Sequence, residues 1–144
     1  MEVSKNFILQ EFMPKDIYSK YKNRCIWFID PSIITIAQMI RSRFAKPMII
    51  NNWHTRKEGG FQFRGFRDPL CTIGAALSQH RFGRGLDFNV IGISSEEIYK
   101  DIIDNEFDYM AYGVTTVESI EHTPNWIHVD IRQQNKDQIV VVEP

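Results

Sequence analysis

Two short segments alternate apolar and polar residues with a period of two, and that alternation limits the fold more than any other feature of the chain. In residues 85–90, Leu86, Phe88 and Val90 share one face while Asp87 and Asn89 share the other. In residues 126–131, Ile127, Val129 and Ile131 form one face, and Trp126, His128 and Asp130 form the other. A strand so patterned lays its apolar face on a core, so both segments belong to a sheet covered on one side. Paired antiparallel, they would set Asp87 and His128 on one polar face, able to floor a pocket.

Other elements follow from local signals. Asp30-Pro31 predicts a helix start, with Asp as cap and Pro in the first turn. Ile33, Ile36, Ala37, Ile40 and Phe44 then recur at three- and four-residue steps, a stripe suited to packing on a sheet. Residues 6–22 mix Phe7, Ile8, Leu9, Phe12 and Ile17 with charges and read as short helical turns forming a lid on the core. Pro47 ends the helical segment, and residues 48–50 are a short strand. Residues 51–78, rich in Arg, Phe and Gly with little apolar period, form a long loop of the kind that usually serves a function. Ser94 and Glu97 make a capping box for a helix carrying Ile98, Ile102 and Ile103 and ending near Asn105. Residues 114–118 and 139–142 are further strands.

The 144 residues suit one domain, 1–144, with 43% hydrophobic and 12% aromatic residues as in ordinary globular chains. Seventeen Lys and Arg balance eighteen Asp and Glu, so no global field favours nucleic acid or an anionic membrane. No apolar run approaches the roughly 20 residues that span a bilayer. Residues 1–6 lack the basic flank and apolar stretch of a secretory signal, so synthesis in the cytoplasm is expected. Cys25 and Cys71 match no redox or zinc spacing and read as free, buried thiols. Trp27 reads as core, and Trp53 and Trp126 as residues of a cleft.

Three of the four histidines, His54, His80 and His128, lie in or beside segments whose polar groups turn away from the apolar pattern. Catalytic zinc takes three protein ligands, imidazole nitrogen or carboxylate oxygen, and leaves a position for water. His80 and Asp87 are separated by a segment holding Gly83 and Gly85, which lets the chain bend both side chains toward one ion. His128 is the best placed third ligand. The predicted metal set is therefore His80, Asp87 and His128, with Zn2+ as cofactor.

These residues carry a resemblance. Ser78-Gln79-His80-Arg81-Phe82-Gly83-Arg84-Gly85-Leu86-Asp87 resembles the Ser-x-His-x-x-Gly-x-Ala-x-Asp signature of the D-alanyl-D-alanine carboxypeptidase family of zinc peptidases. Trp126-Ile127-His128-Val129-Asp130 resembles its second signature, an aromatic residue shortly before a zinc His. The resemblance implies an α+β fold, a central antiparallel sheet with helices packed on one side, shared with the amino-terminal domain of Hedgehog signalling proteins. It also implies a zinc peptidase that cuts peptidoglycan stem peptides, as a D-Ala-D-Ala carboxypeptidase or an L-Ala-D-Glu endopeptidase. Compact relatives without a signal are often bacteriophage lysins or virion components, so action at the cell wall, as a monomer, is expected.

Two positions depart from the family pattern. Gly85 replaces a usual Ala, where a small residue permits close backbone approach. Asn125 stands where the family commonly has its catalytic acid, three residues before the last zinc His, and an amide cannot exchange a proton as a carboxylate can. Asp130 shares a strand face with His128 and is the candidate base, or else a carboxylate that orients the imidazole. Glu118, Glu121 and His122 are alternatives. The family also uses an Arg to hold substrate. His54 stands where many relatives carry it, and Arg64 and Arg67 could supply the guanidinium, Arg67 being favoured. The candidate catalytic residues are thus Asp130, Arg67 and His54. The alternative function is a zinc-containing binding or virion structural module without turnover.

Overall fold

The computed structural model describes residues 1–56, 58 and 60–144; Lys57 and Gly59 of the long loop lie outside the described residues. The chain opens with strands β1 (Glu2–Ser4) and β2 (Phe7–Ile8), paired antiparallel, and helix α1 (Lys15–Tyr21). Residues 6–22 are therefore a hairpin, a 3-10 turn and a helix. They do not form a lid, because Phe7, Leu9, Phe12, Met13 and Ile17 are themselves buried in the core. Helix α2 (Pro31–Phe44) starts as its sequence predicts: the Asp30 side chain accepts the Ser32 N–H at 3.0 Å, and Pro31 occupies the first turn. Ile33, Ile36, Ala37 and Ile40 are buried along its inner face.

Strand β3 (Met48–Ile49) leads into the long loop, and β4 (Gly85–Val90) follows it. Helix α3 (Ser95–Asp104) has the reciprocal cap between Ser94 and Glu97 and ends at Asn105. A further short helix, α4 (Glu106–Ala111), has no counterpart in the sequence reading. Strands β5 (Thr116–Glu118), β6 (Ile127–Asp130) and β7 (Val140–Val142) complete a five-stranded sheet of order β3-β4-β6-β5-β7. Leu86 and Phe88 of β4 and Ile127 and Val129 of β6 share one buried core with the apolar residues of α2 and α3.

The architecture is α+β, but the sheet is mixed and not wholly antiparallel. Strand β7 runs parallel to β5. The cause is topological: β6 runs antiparallel to β5 and ends beside the start of β5, so a chain that passes to the outer edge of β5 must enter in the β5 direction. Two residues lie nearer solvent than the sequence predicts: Trp27 is 80% exposed, and Cys71 is only half-buried. Trp27 sits in a 3-10 helix whose other residues Cys25, Ile26 and Phe28 face the core. Both cysteines are free. No helix among the described residues is long and apolar enough to cross a membrane.

Gly83 and Gly92 both have left-handed backbone, with φ of 68° and 79°. A Cβ at Gly83 would lie 2.1 Å from the Phe28 carbonyl oxygen, whereas a Cβ at Gly92 meets nothing within 4 Å. Gly92→Ala should therefore lose about 1 kcal/mol of stability, the cost of the conformation alone. Gly83→Ala should lose at least ~2 kcal/mol more through the clash, as read from denaturant titration. Equal losses would show that residues 28–29 do not press on Gly83.

Candidate metal centre

The register of the sheet builds the site. Asp87 pairs directly with His128 across β4 and β6, and Gly85 with Asp130. Val117 pairs with Val129 across β5 and β6, so continuing that register sets Glu118 beside His128. Asp87, His128 and Glu118 thus form a row across three strands on the polar face. His80 enters from the 3-10 helix Gln79–Phe82, which Gly83 terminates by donating its N–H to the His80 carbonyl at 3.2 Å. Gly85 permits this entry, since a Cβ there would lie 3.0 Å from the His80 nitrogen and 3.2 Å from the His128 ring.

Three potential ligand atoms converge. His80 Nε2 lies 3.0 Å from Asp87 Oδ1 and 3.2 Å from His128 Nδ1, and His128 Nδ1 lies 2.7 Å from Asp87 Oδ1. All three residues are buried. Their outward atoms have partners that set the tautomers. His80 Nδ1 is 2.6 Å from the Gly65 carbonyl, which can only accept, so Nδ1 carries the hydrogen and Nε2 turns a lone pair inward. His128 Nε2 is 3.1 Å from Asp130 Oδ2, which leaves the Nδ1 lone pair facing the same point.

Two lone pairs and a carboxylate oxygen in van der Waals contact repel one another unless a positive charge lies among them. A proton can supply it. In the absence of metal the His128 pKa is pushed up to about 10: burial opposes the charge, but the Asp130 and Asp87 carboxylates outweigh it. Burial likewise works against ionised Asp87, yet the two imidazoles hold its carboxyl far below the usual range. A divalent cation can also supply the positive charge. Tetrahedral zinc with bonds of ~2.0–2.1 Å sets its ligand atoms roughly 3.3 Å apart, within a few tenths of an ångström of two of the three separations here. The donor set, two neutral imidazoles and one carboxylate each oriented by an outer partner, can hold a metal ion.

Around this triangle the sequence-predicted residues divide. Asp130 is fully buried behind the His128 ring; it accepts from Arg132 Nε at 2.9 Å and from the Arg132 backbone N–H at 3.0 Å, besides His128. Despite its burial, those donors hold its pKa down to about 2. It orients the imidazole and does not reach the open side. Arg67 does belong to the site: its Nη2 donates to Asp87 Oδ2 at 3.0 Å and its Nε to the Phe63 carbonyl at 2.6 Å. His54 stands apart, lining a separate cavity with Glu11, Asn51, Asn52 and Arg56 that shares no wall with the triangle. Trp126 lines the cleft, whereas Trp53 donates its indole N–H to the Met13 carbonyl at 2.8 Å.

Asn125 is exposed, and its carbonyl accepts from Asn89 at 2.6 Å. Glu118 is the carboxylate that faces the triangle, with Oε1 3.9 Å from His128 Nδ1. Burial raises its pKa, countered by the His128 charge and reinforced by Asp87. Glu118, with the three triangle residues, Arg67 and Trp126, lines a cavity of about 430 Å³. The Thr116/Glu118 alternation in β5 already carried that placement, but choosing Glu118 over Glu121 required the register. No family model, curated protein or solved structure matches the chain, so the geometry itself bears the functional reading.

Ligand nitrogen must be free of its proton, and His128 holds one up to about pH 10 without metal. Zinc uptake at pH 7 should therefore release about one proton per ion, measurable by calorimetry in buffers of different ionisation enthalpy, and affinity should fall as pH falls. His80→Ala and His128→Ala should each abolish stoichiometric zinc, while Asp130→Asn should weaken binding about 10–100-fold. Full zinc content in both histidine variants would remove the site.

Proposed function

We propose that the chain is a zinc-dependent peptidase that cleaves peptidoglycan stem peptides, of the D-Ala-D-Ala carboxypeptidase or L-Ala-D-Glu endopeptidase type. The observation that carries this reading is Glu118, a carboxylate raised in pKa and set opposite a His80, Asp87 and His128 triangle in an open cleft. The choice of peptide rests on the two sequence signatures and their order. Zinc, held by His80 Nε2, Asp87 Oδ1 and His128 Nδ1, would supply a Lewis acid that polarises a carbonyl and lowers the pKa of water.

The remaining work falls to the chain's own groups. Glu118 takes a proton from the attacking water and returns it to the leaving amine; a carboxyl raised by burial is better matched to that exchange than a solvated one. Arg67 lies in the same cleft, its guanidinium fixed by Asp87 and the Phe63 carbonyl, and offers its remaining N–H groups to the developing oxyanion. Asp130 keeps the His128 ring in one tautomer. Trp126 forms part of the wall and excludes water from one side.

The alternative, a zinc-holding binding or virion module without turnover, rested on Asn125 at the usual acid position. Glu118 fills the corresponding chemical need from the neighbouring strand. Incubation with purified muropeptides, read by mass spectrometry with and without chelator, should show a chelator-sensitive cut. Glu118→Gln should keep its zinc and lose about 10²–10⁴-fold in rate. Zinc without cleavage in the unmodified protein would return the binding module, and an unchanged rate in Glu118→Gln would assign the proton transfer elsewhere.

A further inference from the structure

A hollow of about 310 Å³ opens beside the turn that carries His80. The 3-10 helix Gln79–Phe82 sends His80 into the metal centre and Arg81 and Phe82 into this hollow. The long loop divides in the same way: Gly65 and Arg67 hold His80 and Asp87, while Phe66 between them lines the hollow. Two cavities therefore share one wall of backbone, and the metal chemistry uses only one of them.

The other is built from aromatic rings. Phe28 stacks on Phe66 with centroids 5.4 Å apart, and Tyr21 meets Phe28 edge to face at 5.0 Å. Phe66 is buried and its N–H is tied to the Phe12 carbonyl at 2.8 Å, which fixes that part of the wall. Phe82, 55% exposed, completes the set. A ring left more than half in water at the edge of a concavity adds little to the core and is placed to be covered. The polar groups of the hollow are Asp68 and Arg81, both pinned by loop backbone. Asp68 Oδ1 accepts the Leu70 N–H at 2.7 Å, and Arg81 donates from Nη1 to the Pro69 carbonyl at 3.1 Å and from Nη2 to the Cys71 carbonyl at 2.6 Å. Among the described residues these contacts leave Asp68 Oδ2 to accept and one N–H on each Arg81 Nη to donate.

Aromatic faces attract cations, but Arg81 and Lys20, whose Nζ lies 5.0 Å from the Tyr21 ring centroid, oppose one here. An anion meets Asp68. What fits is a neutral group with an apolar face and an edge that both donates and accepts. An acetamido sugar has both, C–H groups on its ring face and, on its acetamido group, an N–H for Asp68 and a carbonyl for Arg81. We infer that this hollow is a subsite for an N-acetylated hexosamine, the glycan to which stem peptides are attached. Residues 69–77 run from its rim at Pro69 to the metal cleft at Gly74, Ala75 and Leu77 without a charged residue, so glycan and peptide would be spanned by a neutral surface. The inference rests on the peptidase reading for its biological ligand, but the binding it describes requires neither zinc nor turnover.

The test is NMR titration of zinc-free and zinc-loaded protein, following the ring resonances of Tyr21 and Phe82. The probes are tetra-N-acetylchitotetraose, cellotetraose and acetyl-leucyl-phenylalanine amide. The chitin fragment should bind about tenfold more tightly than cellotetraose, which lacks the acetamido group, and equally in both forms of the protein. Phe82→Ala and Asp68→Ala should each weaken it about tenfold with zinc content unchanged. Trp27→Ala, at an exposed ring outside the hollow, should leave it as it was. No binding of the chitin fragment, equal binding of cellotetraose, or full affinity in both Phe82→Ala and Asp68→Ala would overturn the subsite. Preference for the dipeptide would overturn it too and give the hollow to a protein partner. Chitin-fragment binding without muropeptide cleavage would instead overturn the peptidase reading and leave the subsite standing.

Discussion

The pairing of Asp87 with His128 across β4 and β6 is the contact on which the site depends. Strand side chains alternate, so a slip of one residue would turn Asp87 into the apolar core and carry Leu86 into the cleft. The core enforces the register, because Leu86, Phe88, Ile127 and Val129 are all buried against the helices. Packing on one face of the sheet therefore aligns chemistry on the other. Removing an ionised carboxylate from water costs on the order of several kcal/mol even after relaxation, and Asp87 and Asp130 are both buried. Their neighbours offset that cost through charge and hydrogen bonds.

The long loop is part of this frame. Gly65 supplies the carbonyl that orients His80, Arg64 accepts from the Asp87 backbone, and the Arg67 N–H donates to the His80 carbonyl at 3.0 Å. The N-terminal segment braces the same stretch, since the Phe12 carbonyl accepts the Phe66 N–H at 2.8 Å and the Glu11 carbonyl the Asn51 N–H at 3.0 Å. Residues 64–67 thus behave as an irregular extra edge beside β4, tied down on both sides.

Much of this was legible in the sequence where a period or a cap is strong. Helices α2 and α3 announce themselves through Asp30-Pro31 and the Ser94/Glu97 box, and β4 and β6 through clean alternation. The three residues of the triangle, nominated from spacing, do converge. What escaped has physical reasons. Strands β1 and β2 are too short to show a period, and the direction of β7 is a property of the connection, not of Val140–Val142. The Gly65 carbonyl is backbone and leaves no trace in residue type. Asp130 was correctly placed on the His128 face, but only the structure shows both its oxygens occupied by His128 and Arg132. His54, a candidate because it precedes the His80–Asp87 segment, is carried by the loop to another cavity.

The two histidines present different nitrogens to the same point, His80 its Nε2 and His128 its Nδ1. Nδ1 lies close to its own backbone, and so does the oxygen of Asp87, so two of the three donors are short arms on the rigid sheet. Nε2 is at the far end of the ring, and His80 is a long arm mounted on a single 3-10 turn. The position of that tip therefore depends on the bonds that brace the turn, from the Arg67 N–H to the His80 carbonyl at 3.0 Å and from His80 Nδ1 to the Gly65 carbonyl at 2.6 Å. The sheet keeps two donors in register, and the loop that braces residues 79–82 sets the third.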